Sequence, residues 1–472
     1  MKNLKLLILT FFISGFQIAQ EPWTLEACVE RAIEMNISIK QSKLDYVGSE
    51  IEKKGAVGNF LPTINIGSSH SWNVGLNQNI TTGLLENVTT QFTSMNLNMN
   101  VNLYNGLLNI KRLHRANLSI LASQYQLEDM TENIALLVAN SYLQILFSKE
   151  SLAVQKIQLD ITVKELDRIN DLVDSGVVPK GDLYEIEANL ASQEKTLVDA
   201  QNNYYISKIS LAQLLLIDDF ENFEIANETY EIPISDVMSK TPEEIFGFAV
   251  ANQKEIKVFE TNVAIAKKDL EISKALLKPS LSAFYSYSSR IGYSDRLVAS
   301  DEIVFRSIGV VEGTGERVVA PYNKMTTASP QSFSDQFDLN AGQNFGLSLS
   351  IPILNNFSRR NNVNQTKINI IRTENSLEQK KLDLENTVNQ SFNDAKGAYK
   401  AYAASQKLVF ARELAFEYAQ NKFQVGAMNS FDFTQAKQRF ELAQSELIRT
   451  KYDYIFKLKV LEFYFGVPIS VK

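Results

Sequence analysis

The sequence predicts a mainly helical chain that also carries four strands of a transmembrane β-barrel. Three copies would close a twelve-stranded barrel, continued by a long coiled-coil tunnel. Three observations point there: one turn built twice, apolar stripes repeating in sevens on both sides of it, and strands that alternate apolar with uncharged polar residues.

The turn reads VDSGVVPKGDLYE from Val173 to Glu185 and FQVGAMNSFDFTQ from Phe423 to Gln435. Each copy sets a glycine six residues before an aspartate, Gly176 with Asp182 and Gly426 with Asp432. A glycine there can take the positive φ that ends a helix, and the aspartate can cap the next one, so both copies are read as tips of helical hairpins.

The two tips lie 250 residues apart, and the same offset carries over to their helices. Val138, Ile145, Leu152, Leu159, Leu166 and Val173 recur every seventh residue, matched by Val388, Ala395, Tyr402, Val409, Phe416 and Phe423. On the exit side Leu183, Leu190, Leu197, Tyr204 and Leu211 pair with Phe433, Phe440, Leu447, Tyr454 and Leu461. A seven-residue period sustained this long holds one stripe against a neighbouring helix, which is coiled-coil packing.

The chain begins MKNLKLLILTFFISGFQIAQ, two lysines before a short apolar run, so residues 1–20 read as a secretory signal too short to span a membrane. Losing Lys2 and Lys5 takes the net charge from -7 to -9, which gives no general affinity for nucleic acid. No later run is long and apolar enough for a spanning helix. With Cys28 as the single cysteine there is no intrachain disulfide and no cysteine-based metal site, and His70 and His114 stand too far apart in the pattern to suggest a catalytic pair. No metal, cofactor or catalytic residue is assigned.

From Ser94 to Tyr104, Met95, Leu97, Met99, Val101 and Leu103 alternate with Asn96, Asn98, Asn100 and Asn102. At the offset of 250, Phe345, Leu347, Leu349, Ile351 and Ile353 do the same. Two more strands start at Leu61-Pro62-Thr63-Ile64 and Lys278-Pro279-Ser280-Leu281, offset by 217, so the second copy has gained 33 residues. That insertion, within Ser294 to Asn344, is read as a long surface loop. Strands of about ten residues suit a tilted crossing of a bilayer, with the apolar face toward lipid and the asparagines toward a wet lumen. A soluble sheet with its asparagines in water is the other arrangement such a pattern allows. Four strands cannot close a barrel, and open edges in lipid leave backbone groups unpaired, so other copies must complete the wall.

The helical pattern from Asn105 to Gly176 runs about 70 residues, roughly 105 Å. The stretches from Gly181 to Ile217 and from Thr24 to Val57 are each half as long, and the latter recurs from Thr241. One long helix beside two stacked short ones, twice per chain, follows. Residues 21–472 are therefore read as one fold of two repeats, 24–217 and 241–466, joined by an acidic segment 218–240 at mid-height that carries a strand-like Phe223-Glu224-Ile225.

Taken in order, TLEACVERAIEMN, FLPTINI, LKPSLSA, NVNLYNG, LSIPILNN and VGAMNSFDFTQA resemble the TolC-type outer-membrane efflux proteins. The resemblance implies a homotrimer in the outer membrane of a Gram-negative bacterium, surrounded by lipid at its barrel, with the helical tunnel in the periplasm. It implies docking of a periplasmic adaptor on the tip turns, at Gly176, Val177, Asp182, Gly426 and Ala427, and an inner-membrane transporter beyond. It also places Asp432 and Gln435 at the periplasmic constriction. Gln435 stands where another aspartate is frequent, and Met428 stands where some members carry the basic residue that ties the tip shut. First-copy Asp182 and Glu185 occupy equivalent places.

The function expected is a passive exit duct for small molecules or proteins, with no reaction of its own. Gly313 to Gly315 reads GTG but lacks the strand-helix context of a phosphate loop. A non-conducting coiled-coil stalk anchored by its strands is the alternative, and an enzyme on a helical scaffold a third.

Overall fold

The computed structural model describes residues 22–79, 83–226 and 235–467. The leader at 1–20 and residues 227–234 of the joining segment lie outside these. The elements in order are α1 (Leu25–Met35), α2 (Ile37–Gly58), β1 (Thr63–Gln78), β2 (Leu85–Tyr104), α3 (Leu108–Asp174), α4 (Lys180–Leu214), α5 (Pro242–Asn252), α6 (Lys254–Ala275), β3 (Ser280–Gly292), β4 (Arg296–Val310), β5 (Arg317–Ala328), α7 (Phe333–Leu339), β6 (Gly342–Ser350), α8 (Ser358–Gln424) and α9 (Ser430–Tyr464). They fall into two compact units. A helical unit holds Met1–Ser49, Ser119–Val263 and Arg372–Lys472, and a strand-bearing unit holds Glu50–Leu118 and Ala264–Ile371.

In the helical unit every residue of the four heptad stripes is buried or half-buried. Lengths repeat as well: α3 and α8 have 67 residues, and α4 and α9 have 35. The stripes feed separate cores. One gathers Cys28, Tyr142, Ile145, Leu211, Phe223 and Ile455, and another Ile245, Val388, Ala395 and Leu461. The one nearest the tips is aromatic, with Phe423 and Phe433 stacked at 4.6 Å and Phe416 and Phe440 at 5.5 Å. Burying each such side chain stabilises the fold by about 1.5–3 kcal/mol.

The helix expected from Thr24 to Val57 is broken. Thr24 caps α1, and at Asn36 the backbone turns extended (ψ 132°) while the Asn36 side chain accepts the Ser38 N–H at 2.9 Å, so an asparagine ends one helix and starts the next. The copy breaks at the equivalent Gln253, after α5 has opened with a full capping box on Thr241 and Glu244. Phe223-Glu224-Ile225 forms only one parallel bridge, Trp23 with Ile225, flanked by a Trp23 N–H bond to the Glu224 carbonyl at 2.9 Å.

In the strand-bearing unit β1, β2, β3 and β6 form one antiparallel sheet in that order, so β1 and β6 are its edges. β1 and β2, at 16 and 20 residues, are longer than the ten expected, whereas β6 stops at Ser350, before Ile351 and Ile353. The insertion is a further correction. It is ordered as the hairpin β4–β5, turning at Gly313 and Gly315, followed by the short helix α7. α7 takes the place of a missing strand, because beyond Ser288 β3 has no β6 beside it. There the Gln336 side chain accepts the Gly292 N–H at 2.8 Å and donates to the Gly292 carbonyl at 2.9 Å, and Asn340 donates to the Arg290 carbonyl.

The step from sheet to helix needs positive φ at Gly106 and Leu107, and again at Asn356 and Phe357. At Gly106 a Cβ would also lie 2.7 Å from the Ala275 carbonyl oxygen, so only glycine fits. The helix ends below the sheet are tied by Arg115 to Asp269 at 2.6 Å and by the Arg359 guanidinium donating to the Leu276 carbonyl.

Candidate functional site

The two tips lie in the helical unit and share one backbone. At the first, Gly176 (φ +70°) donates to the Val173 carbonyl and Val177 to that of Leu172, both at 2.9 Å. At the second, Gly426 (φ +75°) donates to Phe423 at 3.2 Å and Ala427 to Lys422 at 2.9 Å. Each glycine thus stands two residues past its helix in a paired closure that satisfies the last carbonyls.

The aspartates are not the caps the spacing suggests. Asn429 caps α9, accepting the Asp432 N–H at 2.7 Å, and α4 opens on Pro179 with no side-chain cap. Asp432 and Asp182 sit inside the first turns, where a negative charge complements the helix dipole. Their surroundings then diverge. Asp432 and Gln435 are exposed and one turn apart, on a single face of α9. Asp182 is half-buried and accepts a bond from the Ser430 hydroxyl at 3.0 Å, which ties the first tip to the second, while Glu185 is exposed.

Met428 carries no charge and packs against the aromatic core. A basic residue from another helix lies against this tip. Arg168 of α3 donates to the carbonyls of Phe423 at 3.2 Å and Gln424 at 3.0 Å and lies 5.0 Å over the Phe423 ring. It holds the negative C-terminal end of α8, a charge-assisted contact that no turn motif in the sequence signals. Gly176, Val177, Gly426 and Ala427 are exposed, and beside them Val425 and Phe431 are 79% and 63% exposed, leaving an apolar patch at the end of the coil.

One turn above Ile169 the coil interior becomes polar. Lys437 is buried beside Thr162, with Glu441 3.9 Å away and Glu165 also buried. Burial pushes the Glu165 carboxyl up to about 7, against the pull of Lys437 and Arg168, and burial likewise raises Glu441 and lowers Lys437. Thr162, Glu165 and Lys437 were invisible as a group because Lys437 lies on α9, hundreds of residues from the other two on α3.

In the strand-bearing unit the register sorts the sheet into two faces. One carries rows such as Ile64, Met99, Tyr285 and Phe345, then Ile66, Leu97 and Tyr287. The other carries Asn65, Asn98, Ser286 and Asn344, then Gly67, Asn96, Ser288 and Gly342. His70, on the apolar face, hydrogen-bonds Thr93 at 2.8 Å and Gln91 at 2.9 Å and packs edge-on to Trp72 and Tyr293. Such an aromatic cluster bordering an apolar band suits a membrane interface.

An antiparallel sheet with one lipid-compatible face, built into a chain of long coiled-coil hairpins, defines an outer-membrane channel fold. Solved structures agree. The chain superposes on the CmeC outer membrane channel of Campylobacter jejuni with TM-score 0.72 at 17% identity, covering 94% of this chain and 85% of that one. It superposes on the outer membrane protein VceC of Vibrio cholerae with 0.69 at 14%, covering 94% and 96%. For the open state of the Neisseria gonorrhoeae MtrE outer membrane channel the values are 0.65 and 15%, covering 95% and 90%. Among curated proteins none matches. The family profile for outer membrane efflux proteins matches residues 33–215 and 247–467, most of the chain, and the chain belongs to that family. It is an outer-membrane exit duct.

Proposed function

We propose that three copies of the chain close one twelve-stranded barrel, and that the tips form the duct's periplasmic entrance. The observation that carries this is the sheet itself: one face is apolar, one is polar, and both edges are open. Open edges in lipid would leave backbone groups unpaired, and four strands are too few to curl shut. The asparagine, serine and glycine face then lines the lumen, so the wall is wet, with Arg290 and Glu86 as the charged residues on that face.

The finer assignments follow from this frame. Residues 1–20 direct export, and 24–217 and 241–466 are two copies of one repeat about the segment 218–240. The exposed patch around Val177, Gly176, Ala427 and Gly426, with Asp182, receives a periplasmic adaptor, and an inner-membrane transporter supplies the energy. The duct itself breaks no bond. Asp432, repeated three times around the mouth with Gln435 beside it, makes the constriction prefer cations. Single-channel recording in planar bilayers tests the reading. Cation-selective conductance is expected, with the preference reduced in Asp432→Ala; no conductance at all would favour an anchored stalk instead.

A further inference from the structure

The two halves of the sheet repeat each other closely enough to specify how one copy of the chain pairs with the next. Adding 217 to each β1 residue and 250 to each β2 residue turns the pair Thr63 with Asn100 into Ser280 with Ser350, and Ser71 with Phe92 into Ser288 with Gly342. Every pair between Ser280–Ser350 and Ser288–Gly342 is reproduced in this way. Special backbone positions obey the same offsets, with positive φ at Gly106 and Leu107 matched by Asn356 and Phe357. The two hairpins are therefore related by a local rotation about the barrel axis.

The same rotation carries β2 onto β6 and β3 onto the β1 of a neighbouring copy. We infer that the observed β2–β3 ladder is repeated between subunits, with Phe345 opposite Trp72 of the partner subunit. This rests on the three-copy barrel proposed above and specifies its seam. Met95 with Ser289 gives Phe345 with Trp72 of the partner subunit, Ser94 with Arg290 gives Asn344 with Asn73 of the partner subunit, and Val101 with Ala283 gives Ile351 with Ile66 of the partner subunit.

Two independent observations fit this register. It continues the apolar face of β6 into that of the partner subunit's β1 and the polar face into the polar one, which a slip of one residue would invert. It also extends past the last residue of β6, where Ile351 is 57% and Ile353 92% exposed although the alternation of the strand continues through them. Among the described residues those two have no strand partner, because β3 begins at Ser280, opposite Ser350. The seam supplies one, on the other edge.

Paired cysteines test the register in full-length protein extracted in detergent. Phe345→Cys with Trp72→Cys probes the apolar face and Asn344→Cys with Asn73→Cys the polar face, so that one of the two is the closely spaced, non-hydrogen-bonded type. Within one chain β1 and β6 are separated by two strands, about 14 Å, beyond disulfide reach, so a cross-link reports a contact between copies. The native Cys28 is buried, and single-cysteine variants give the background. At least one of the two pairs should run as a covalent trimer on a denaturing gel after oxidation. Phe345→Cys with His70→Cys or with Val74→Cys, slipped by two residues, should not. Cross-linking of a slipped pair, or of no pair in material that native mass spectrometry finds trimeric, overturns the register alone. A monomeric mass with no cross-link overturns the three-copy barrel with it.

Discussion

α4 and α9 have the same length, the same heptad register and the same place after a tip, yet they differ in what covers them. In α9, Phe433, Phe440, Tyr454 and Leu461 are buried, and a second line, Ile448, Tyr452, Ile455 and Leu458, is buried too. In α4 only Leu211 of the stripe is fully buried, and Tyr184, Val198 and Ile206 stand 65%, 52% and 59% exposed. α9 contributes to the cores of both hairpins, whereas α4 packs on one side. A heptad stripe reports that a helix has a partner along one face; it does not report how many faces are used. α4 thus keeps one apolar face exposed in the single chain, and the three-copy assembly proposed above would cover it with a neighbouring copy.

The strongest challenge to that contrast is to remove equivalent methyl groups from both helices. Leu458→Ala in α9 should cost about 2–5 kcal/mol, a fully buried leucine leaving a cavity. Leu197→Ala in half-buried α4 should cost less than half as much, and equal losses in denaturant unfolding would erase the distinction.

Next in size is Glu165, buried against α9. Its carboxyl lies near 7 instead of 4.5, so between these pH values the folded protein keeps a proton that the unfolded chain has released. Its stability contribution is therefore fully present below about pH 4.5 and is lost as pH rises toward 7. Glu165→Gln should raise stability at pH 8 by about 3 kcal/mol and flatten the melting temperature across that window. An unchanged pH profile would mean that the carboxylate is not buried in solution.

Arg168→Ala should weaken the second tip by about 1.5–3 kcal/mol, the worth of a charged hydrogen bond, with little effect on the distant cores. Higher resting conductance than wild type is the expected reading, and an equally quiet channel would show that Ser430 and Asp182 hold the tip by themselves. The smallest effect on the fold belongs to Ile206→Asp, within about 0.5 kcal/mol because the side chain faces water in the single chain. Its trimer fraction in detergent should nevertheless fall, and an undiminished trimer would assign that face of α4 to another partner.

Much of the architecture was legible because it rests on period. The stripes from Val138 to Val173 and from Phe433 to Leu461, and the alternation from Met95 to Val101, state their own geometry. What was missed is local or non-periodic. Asn36 and Gln253 interrupt helices at a single residue with periodic sequence on both sides. β4 and β5 were hidden because the polar composition of the insertion outweighed the apolar runs flanking Gly313 and Gly315, which together spell a hairpin. At the tip, the glycines could be placed from sequence since glycine takes a positive φ at the least cost. Arg168 could not, since its partners are carbonyls, which every residue has.

The replacement of a strand by α7 has an outcome for the outer mouth. The β1–β2 ladder climbs to Gln78 and Leu85, whereas the β3–β6 ladder ends at Ser288 and Gly342, and Gln336 and Asn340 finish the lower crest. In the three-copy barrel proposed above, the wall's own ladder would therefore alternate between long and short hairpins around the ring, with the separate β4–β5 hairpin standing over each short one.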